Sequence, residues 1–146
     1  MIVVRRAAPS DRAVWEELFH EYLRFYERVE PPALYDRAWS EFMRDAQMHA
    51  LVASIDDRVV GIAHYLFHVN TSAKDVCYLQ DLFTAAEARK RGVASALIAA
   101  VVERATTRGC SRVYWMTQES NAVARRLYDR VAEFRGFIRY QIQIDG

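Results

Sequence analysis

Residues 76–108 read VCYLQDLFTAAEARKRGVASALIAAVVERATTR, and the fold is decided here. Val76–Thr84 is a short run of β-favouring side chains and reads as a strand. Ala85–Arg91 is a polar, turn-like link that ends in three basic residues, Arg89, Lys90 and Arg91. From Gly92 to Arg108 the residues Ala94, Leu97, Ile98, Val101, Val102 and Ala105 share one broad helical face, and Gly109 stands where a helix stops. A strand therefore enters a basic, glycine-containing turn that opens a helix. The first N–H groups of a helix have no partner within it and lie at the positive end of its macrodipole, so this geometry holds phosphate. Gly92 and Ala94 keep bulky side chains out of the way, and the three basic residues add countercharge. The competing reading is a basic loop that only solubilises a helix start.

Upstream, Ile2–Ala7 is a β-branched run, and Pro9-Ser10-Asp11 carries an N-cap signal for a helix over Asp11–Glu27 with Val14, Leu18, Tyr22 and Phe25 on one face. Pro31-Pro32 ends that segment, and a second helix is expected over Ala33–Arg44. Ala50–Ile55 and Val59–Val69 read as a hairpin turned at Asp56-Asp57, and Val76–Thr84 adds a third strand in meander order. Downstream, Arg112–Thr117 reads as a strand, Asn121–Val131 as a helix and Gly136–Ile144 as a closing strand. The order β-α-α-β-β-β-α-β-α-β predicts an α/β (α+β) fold, a mixed and mostly antiparallel sheet flanked by helices, with residues 1–146 as a single domain.

Composition limits the function. Of 146 residues, 52% are hydrophobic and 27% charged, which is globular rather than disordered, and a net charge of +1 does not call for nucleic acid. The apolar run Val93–Val102, broken by Ser95, is shorter than the ~20 residues of a membrane span, and the opening residues show no signal-peptide pattern, so a cytoplasmic protein without a membrane partner is expected. Cys77 and Cys110 have no CxxC or His-spaced partner and read as buried thiols. His64 and His68, four apart on a strand, stand about 13 Å from each other, too far to share a metal, and none is expected. Neither GxxxxGK[ST] nor GxGxxG occurs.

Arg89-Lys-Arg-Gly92-Val-Ala94 resembles the Arg/Gln-x-x-Gly-x-Gly/Ala signature of the GCN5-related N-acetyltransferase (GNAT) family. Asn121 and Tyr128, seven apart, resemble its second motif. Within the family, Cys77–Phe83 and Val113–Thr117 look most like the diamine, polyamine and histone-acetyltransferase-like branch. The resemblance implies acetyl-CoA as co-substrate and a small primary amine or polyamine as acceptor. The alternatives are a non-catalytic acyl-CoA-binding module and an acetyltransferase for protein lysines or N-termini. A homodimer is left open. By resemblance, the backbone of Leu82, Phe83 and Thr84 holds pantetheine as an added strand, and Arg89, Lys90, Arg91, Gly92, Val93, Ala94 and Ser95 form the pyrophosphate loop. Asn121 contacts the pantetheine arm, and Tyr128 is the general acid. A phenol near the sulfur suits the departing thiolate, whereas a core tyrosine is the plain alternative.

An alkyl ammonium of pKa roughly 10.4 must lose a proton before it attacks. The polyamine branch has a glutamate where this chain has Gln80, which is no base, so Asp81 is the candidate beside water relayed by several groups. Period-2 alternation sends Asp81 to the face opposite Gln80 unless a β-bulge, usual on this strand in the family, re-aims one of them. The group Glu21, Tyr22, Tyr26, Glu27, Glu30 and Tyr35 reads as a solvated helix face with a few core rings. In the family the first two helices form the acceptor side, which makes Glu21, Tyr26, Glu27 and Gln80 candidate substrate contacts.

Overall fold

The computed structural model describes residues 1–145. The β-branched start becomes β1 (Ile2–Arg6), and two helices follow, α1 (Arg12–Phe25) and α2 (Pro32–Arg44). The meander is β2 (Met48–Ile55), β3 (Arg58–His68) and β4 (Val76–Thr84). Asp56 and Asp57 turn the first hairpin with both φ angles positive, at 50° and 66°, the pair that a two-residue hairpin loop of matching twist requires. Then come α3 (Val93–Arg108), a two-residue β5 (Val113–Tyr114) and α4 (Ala122–Val131). The strands form one open sheet in the order β1-β2-β3-β4-β5, antiparallel except for the parallel β4–β5 pair. This is the expected mixed, mostly antiparallel sheet.

The chain divides into two compact units, residues 1–116 and Thr117 onward. In the first, α1 and α2 cover one face of the sheet and α3 the other. Trp15 of α1 is fully buried against Phe19, Trp39 and Phe42, with ring centroids 5.4, 4.9 and 5.8 Å away. On the opposite face α3 buries Val93, Leu97, Ile98, Val101 and Ala105. It approaches β3 so closely that a Cβ on Gly61 would lie 2.7 Å from Val93 Cγ1 and 3.1 Å from Leu97 Cδ1.

Two expectations need correction. The strand expected over Arg112–Thr117 is paired only at Val113 and Tyr114, and the closing strand expected over Gly136–Ile144 does not form. In the second unit Arg139, Gln141 and Gln143 hydrogen-bond along one side of that segment at i, i+2 spacing, while Ile138, Tyr140, Ile142 and Ile144 are exposed. Alternation describes side chains only. A strand also needs a neighbouring backbone to complete its ladder, and none pairs with this segment among the described residues.

Candidate active site

The turn before α3 is built as its sequence demands. Lys90 and Gly92 both adopt left-handed backbone, at φ 63° and 86°, and Gly92 is the N-cap residue. No side chain caps this helix end, and the first intrahelical bond runs from the Ala96 N–H to the Gly92 carbonyl at 3.0 Å. The N–H groups of Val93, Ala94 and Ser95 are thus left for an outside acceptor. Arg89, Lys90 and Arg91 are exposed around them. Arg89 folds back on the strand, donating from Nε to the Thr84 carbonyl at 3.3 Å with its guanidinium 5.7 Å from the Phe83 ring centre.

The strand feeding this turn has a free edge. β4 pairs with β3 along its length but with β5 only at Cys77 and Tyr78, so from Leu79 to Thr84 its other edge carries no strand among the described residues. The half-buried Leu82, Phe83 and Thr84 lie on this stretch, and the buried Thr84 Oγ1 has no hydrogen-bond partner there. An open β edge running into uncapped helix N–H groups has the donors and acceptors to take an extended amide chain ending in phosphates.

The bulge lies at Gln80. Leu79 stands opposite Tyr65 and Asp81 opposite His64, so β4 carries one residue more than β3 over this step. Thr84 pairs with Gly61, which faces α3, so Leu82 also faces α3 while Phe83 and Asp81 face α1. Leu79, on the far side of the bulge, faces α3 as well. An unbulged strand would put Asp81 on the same side as Leu79, and the extra residue turns it towards α1.

There Asp81 joins a hydrogen-bonded chain that starts at Trp15. Trp15 Nε1–H donates to His64 Nε2 at 2.9 Å, and His64 Nδ1 lies 2.9 Å from Asp81 Oδ2. His64 is 1% exposed and the Asp81 carboxylate 15%. Beyond it, Tyr22 packs on Tyr26 and Phe83 with centroids 5.2 and 6.1 Å apart. Burial first, and the Asp81 charge second, hold the Tyr22 phenol far above its ordinary range, and burial raises Tyr26 as well. Both phenols therefore stay neutral donors.

Asp81, Tyr26 and Leu82–Thr84 are brought to one region of the first unit, and Gln80 is the exposed bulge residue beside them. Glu21 and Glu27 are exposed, and their carboxylates form no hydrogen bond or ion pair among the described residues. Asn121 and Tyr128 belong to the second unit. Asn121 is the N-cap of α4, its Oδ1 accepting from the Ala124 N–H at 3.3 Å, and the half-buried Tyr128 lies on that helix. Cys77 is buried, which pushes its thiol up to about 12, whereas Cys110 is half-buried and not the fully buried thiol expected. His68 Nε2 is 2.8 Å from the Tyr114 hydroxyl, and no cluster of three metal-ligating side chains occurs among the described residues. His64 and Trp15 were not among the sequence candidates. Only the bulge register brings them to Asp81, and no local motif marks it.

Residues 15–134 match the acetyltransferase (GNAT) family. The chain is 33% identical over 135 residues to the D-amino-acid N-acetyltransferase HPA3 of Saccharomyces cerevisiae, covering 90% of this chain and 84% of that one. It is 26% identical to the uncharacterized N-acetyltransferase YhfO of Bacillus subtilis, over 97% of both chains. The aminoglycoside N-acetyltransferase AAC(6')-Iy, solved in complex with CoA, superposes with a TM-score of 0.87 at 19% identity, over 99% of this chain and 96% of that one, which shows the shared fold. The chain belongs to the GNAT family and is an N-acetyltransferase of that type.

Proposed function

We propose that this enzyme transfers the acetyl group of acetyl-CoA to the primary amine of a small molecule by direct attack in a ternary complex. The observation that carries the proposal is the open edge of β4 leading into the uncapped, left-handed turn at Gly92. Leu82, Phe83 and Thr84 would hold the pantetheine amides by main-chain bonds. Arg89, Lys90 and Arg91 with the N–H groups from Gly92 to Ser95 would take the pyrophosphate, and Asn121 would contact the pantetheine arm. The small-amine acceptor is supported by the name of the HPA3 relative, a D-amino-acid enzyme. The polyamine branch suggested by the sequence is one case within that class. The reading takes the whole chain as one catalytic domain, since the family match runs across both compact units. It sets the reaction in the cytoplasm, in keeping with a chain in which no described helix is long and apolar enough to cross a membrane.

In the reaction the amine nitrogen bonds to the thioester carbon and the carbon–sulfur bond breaks. Asp81 takes the proton that the ammonium must lose, the nitrogen sheds its second proton to solvent after attack, and Tyr128 gives the departing thiolate a proton that it regains from solvent. Tyr26, Glu21, Glu27 and Gln80 would meet the acceptor, the carboxylates favouring a cation. The test is CoA release from acetyl-CoA with a panel of D-alanine, D-lysine, spermidine, kanamycin and a lysine peptide. Turnover of one or more of the small amines ahead of the peptide is expected. Acetyl-CoA binding without turnover of any amine would refute the reading.

A further inference from the structure

Asp81 is held from behind by a group that never meets solvent. An indole N–H only donates, so His64 Nε2, 2.9 Å from Trp15 Nε1, must present a lone pair. The ring proton is then on Nδ1, which points at Asp81 Oδ2. Rotation is blocked as well, since Phe42 stacks on the imidazole at 4.4 Å and Phe19 meets it edge-on at 4.9 Å. The chain therefore has a direction, from a fully buried indole through a fixed imidazole to a carboxylate that keeps partial access to solvent.

We propose that His64 is a positioning residue for acetyl transfer: fixed by Trp15 as the Nδ1–H tautomer, it ties down one oxygen of Asp81 and so aims the carboxylate at the acceptor amine. The inference rests on the reading of Asp81 as the base. A carboxylate free to rotate would spend less time in reach of the ammonium proton, which lowers the rate of proton removal and leaves the binding of acetyl-CoA untouched.

The experiment measures kcat, KM for acetyl-CoA and melting temperature for wild type, Asp81→Asn, His64→Leu, His64→Asn, Trp15→Phe and the Asp81→Asn/His64→Leu double variant. The probe is whichever of D-alanine, D-lysine, spermidine and kanamycin the wild type turns over fastest. Asp81→Asn should lose about 10²-fold or more in kcat. His64→Leu should lose roughly 10- to 100-fold, the scale of one hydrogen bond to a charged group, with KM for acetyl-CoA unchanged. His64→Asn, whose amide nitrogen can occupy the Nδ1 position, should recover most of that loss. The double variant should be no slower than Asp81→Asn alone, because a residue that acts only through Asp81 has nothing left to position. Independent multiplication of the two losses, or full activity in a folded His64→Leu, overturns the inference. If His64→Leu does not fold, Trp15→Phe takes its place in the same cycle. Full activity in Asp81→Asn overturns instead the reading of Asp81 as base, and no turnover by the wild type overturns the reading of the reaction.

Discussion

Gly92 allows backbone strain to be separated from ligand contact. Its φ of 86° lies in the left-handed region, while a Cβ added there would meet only Ile2 Cδ1, at 3.8 Å. A side chain thus costs conformational energy and meets no clash. Alanine in this region costs about 1–2 kcal/mol, and asparagine, which tolerates it, costs less. Unfolding entropy of about 2.1 cal/mol/K per residue over 146 residues makes 1 kcal/mol worth about 3 °C. Gly92→Ala should therefore lower the melting temperature by about 3–6 °C and Gly92→Asn by about 3 °C or less. Acetyl-CoA at a hundred times its Kd should add about 2.7 kcal/mol, or about 9 °C, to the wild type. If the asparagine side chain stands where phosphate must approach the Val93–Ser95 N–H groups and affinity drops a hundredfold, the same concentration adds only about 0.4 kcal/mol, or about 1 °C. Thermal melts of the three proteins with and without acetyl-CoA make the comparison. A Gly92→Asn variant that gains the full wild-type shift would refute the phosphate-loop assignment.

Tyr128→Phe removes only a hydroxyl and should cut kcat by roughly 10²-fold with the acetyl-CoA-induced melting shift retained; unchanged turnover would end its role as general acid. Gly61→Ala should destabilise by about 1–3 kcal/mol in urea titrations, since the β-branched Val93 has little room to yield to a Cβ at 2.7 Å, and it should weaken acetyl-CoA binding because Val93 opens α3. Asp11 accepts two bonds from Arg5, at 2.7 and 3.0 Å, and one from the Ala8 N–H at 2.7 Å. The Arg5 bonds foremost hold its carboxyl below the usual range. That stabilisation is complete above the unfolded pKa of about 3.9 and is lost as pH falls through the lower folded value. Asp11→Asn should therefore cost about 2 kcal/mol at pH 7 and much less near pH 2, as read by denaturant unfolding at both pH values.

The long helix and the left-handed turn before it were legible because their signals are local. An apolar face at helical spacing, basic residues before Gly92 and a stop at Gly109, whose φ is 88°, all lie within a few residues of what they control. β4 was readable for the same reason. Its bulge was expected only through the family resemblance, and the pairing of Asp81 with His64 depends on register across seventeen residues of separation, which neither side chain announces. His64 read as an ordinary strand histidine on that account. The segment after Gly136 failed in the opposite way, because its alternating pattern is genuine but does not name a strand to pair with.

The bulge at Gln80 also gives β4 a parity. Inside and outside exchange places at that residue, so Asp81, Leu82, Phe83 and Thr84 each stand on the side that simple counting from Cys77 would deny them. Deleting Gln80 would only smooth the ladder, leaving Asp81 opposite His64 and facing α1. Drawing Gln80 into regular pairing instead would invert the whole downstream half, turning Asp81 towards α3 and Leu82 towards the aromatic rings of α1, while the backbone edge of the strand stayed where it is. Two properties of one strand thus answer to different features of the chain. The edge depends on where β5 stops pairing, and the chemistry facing α1 depends on a count of one.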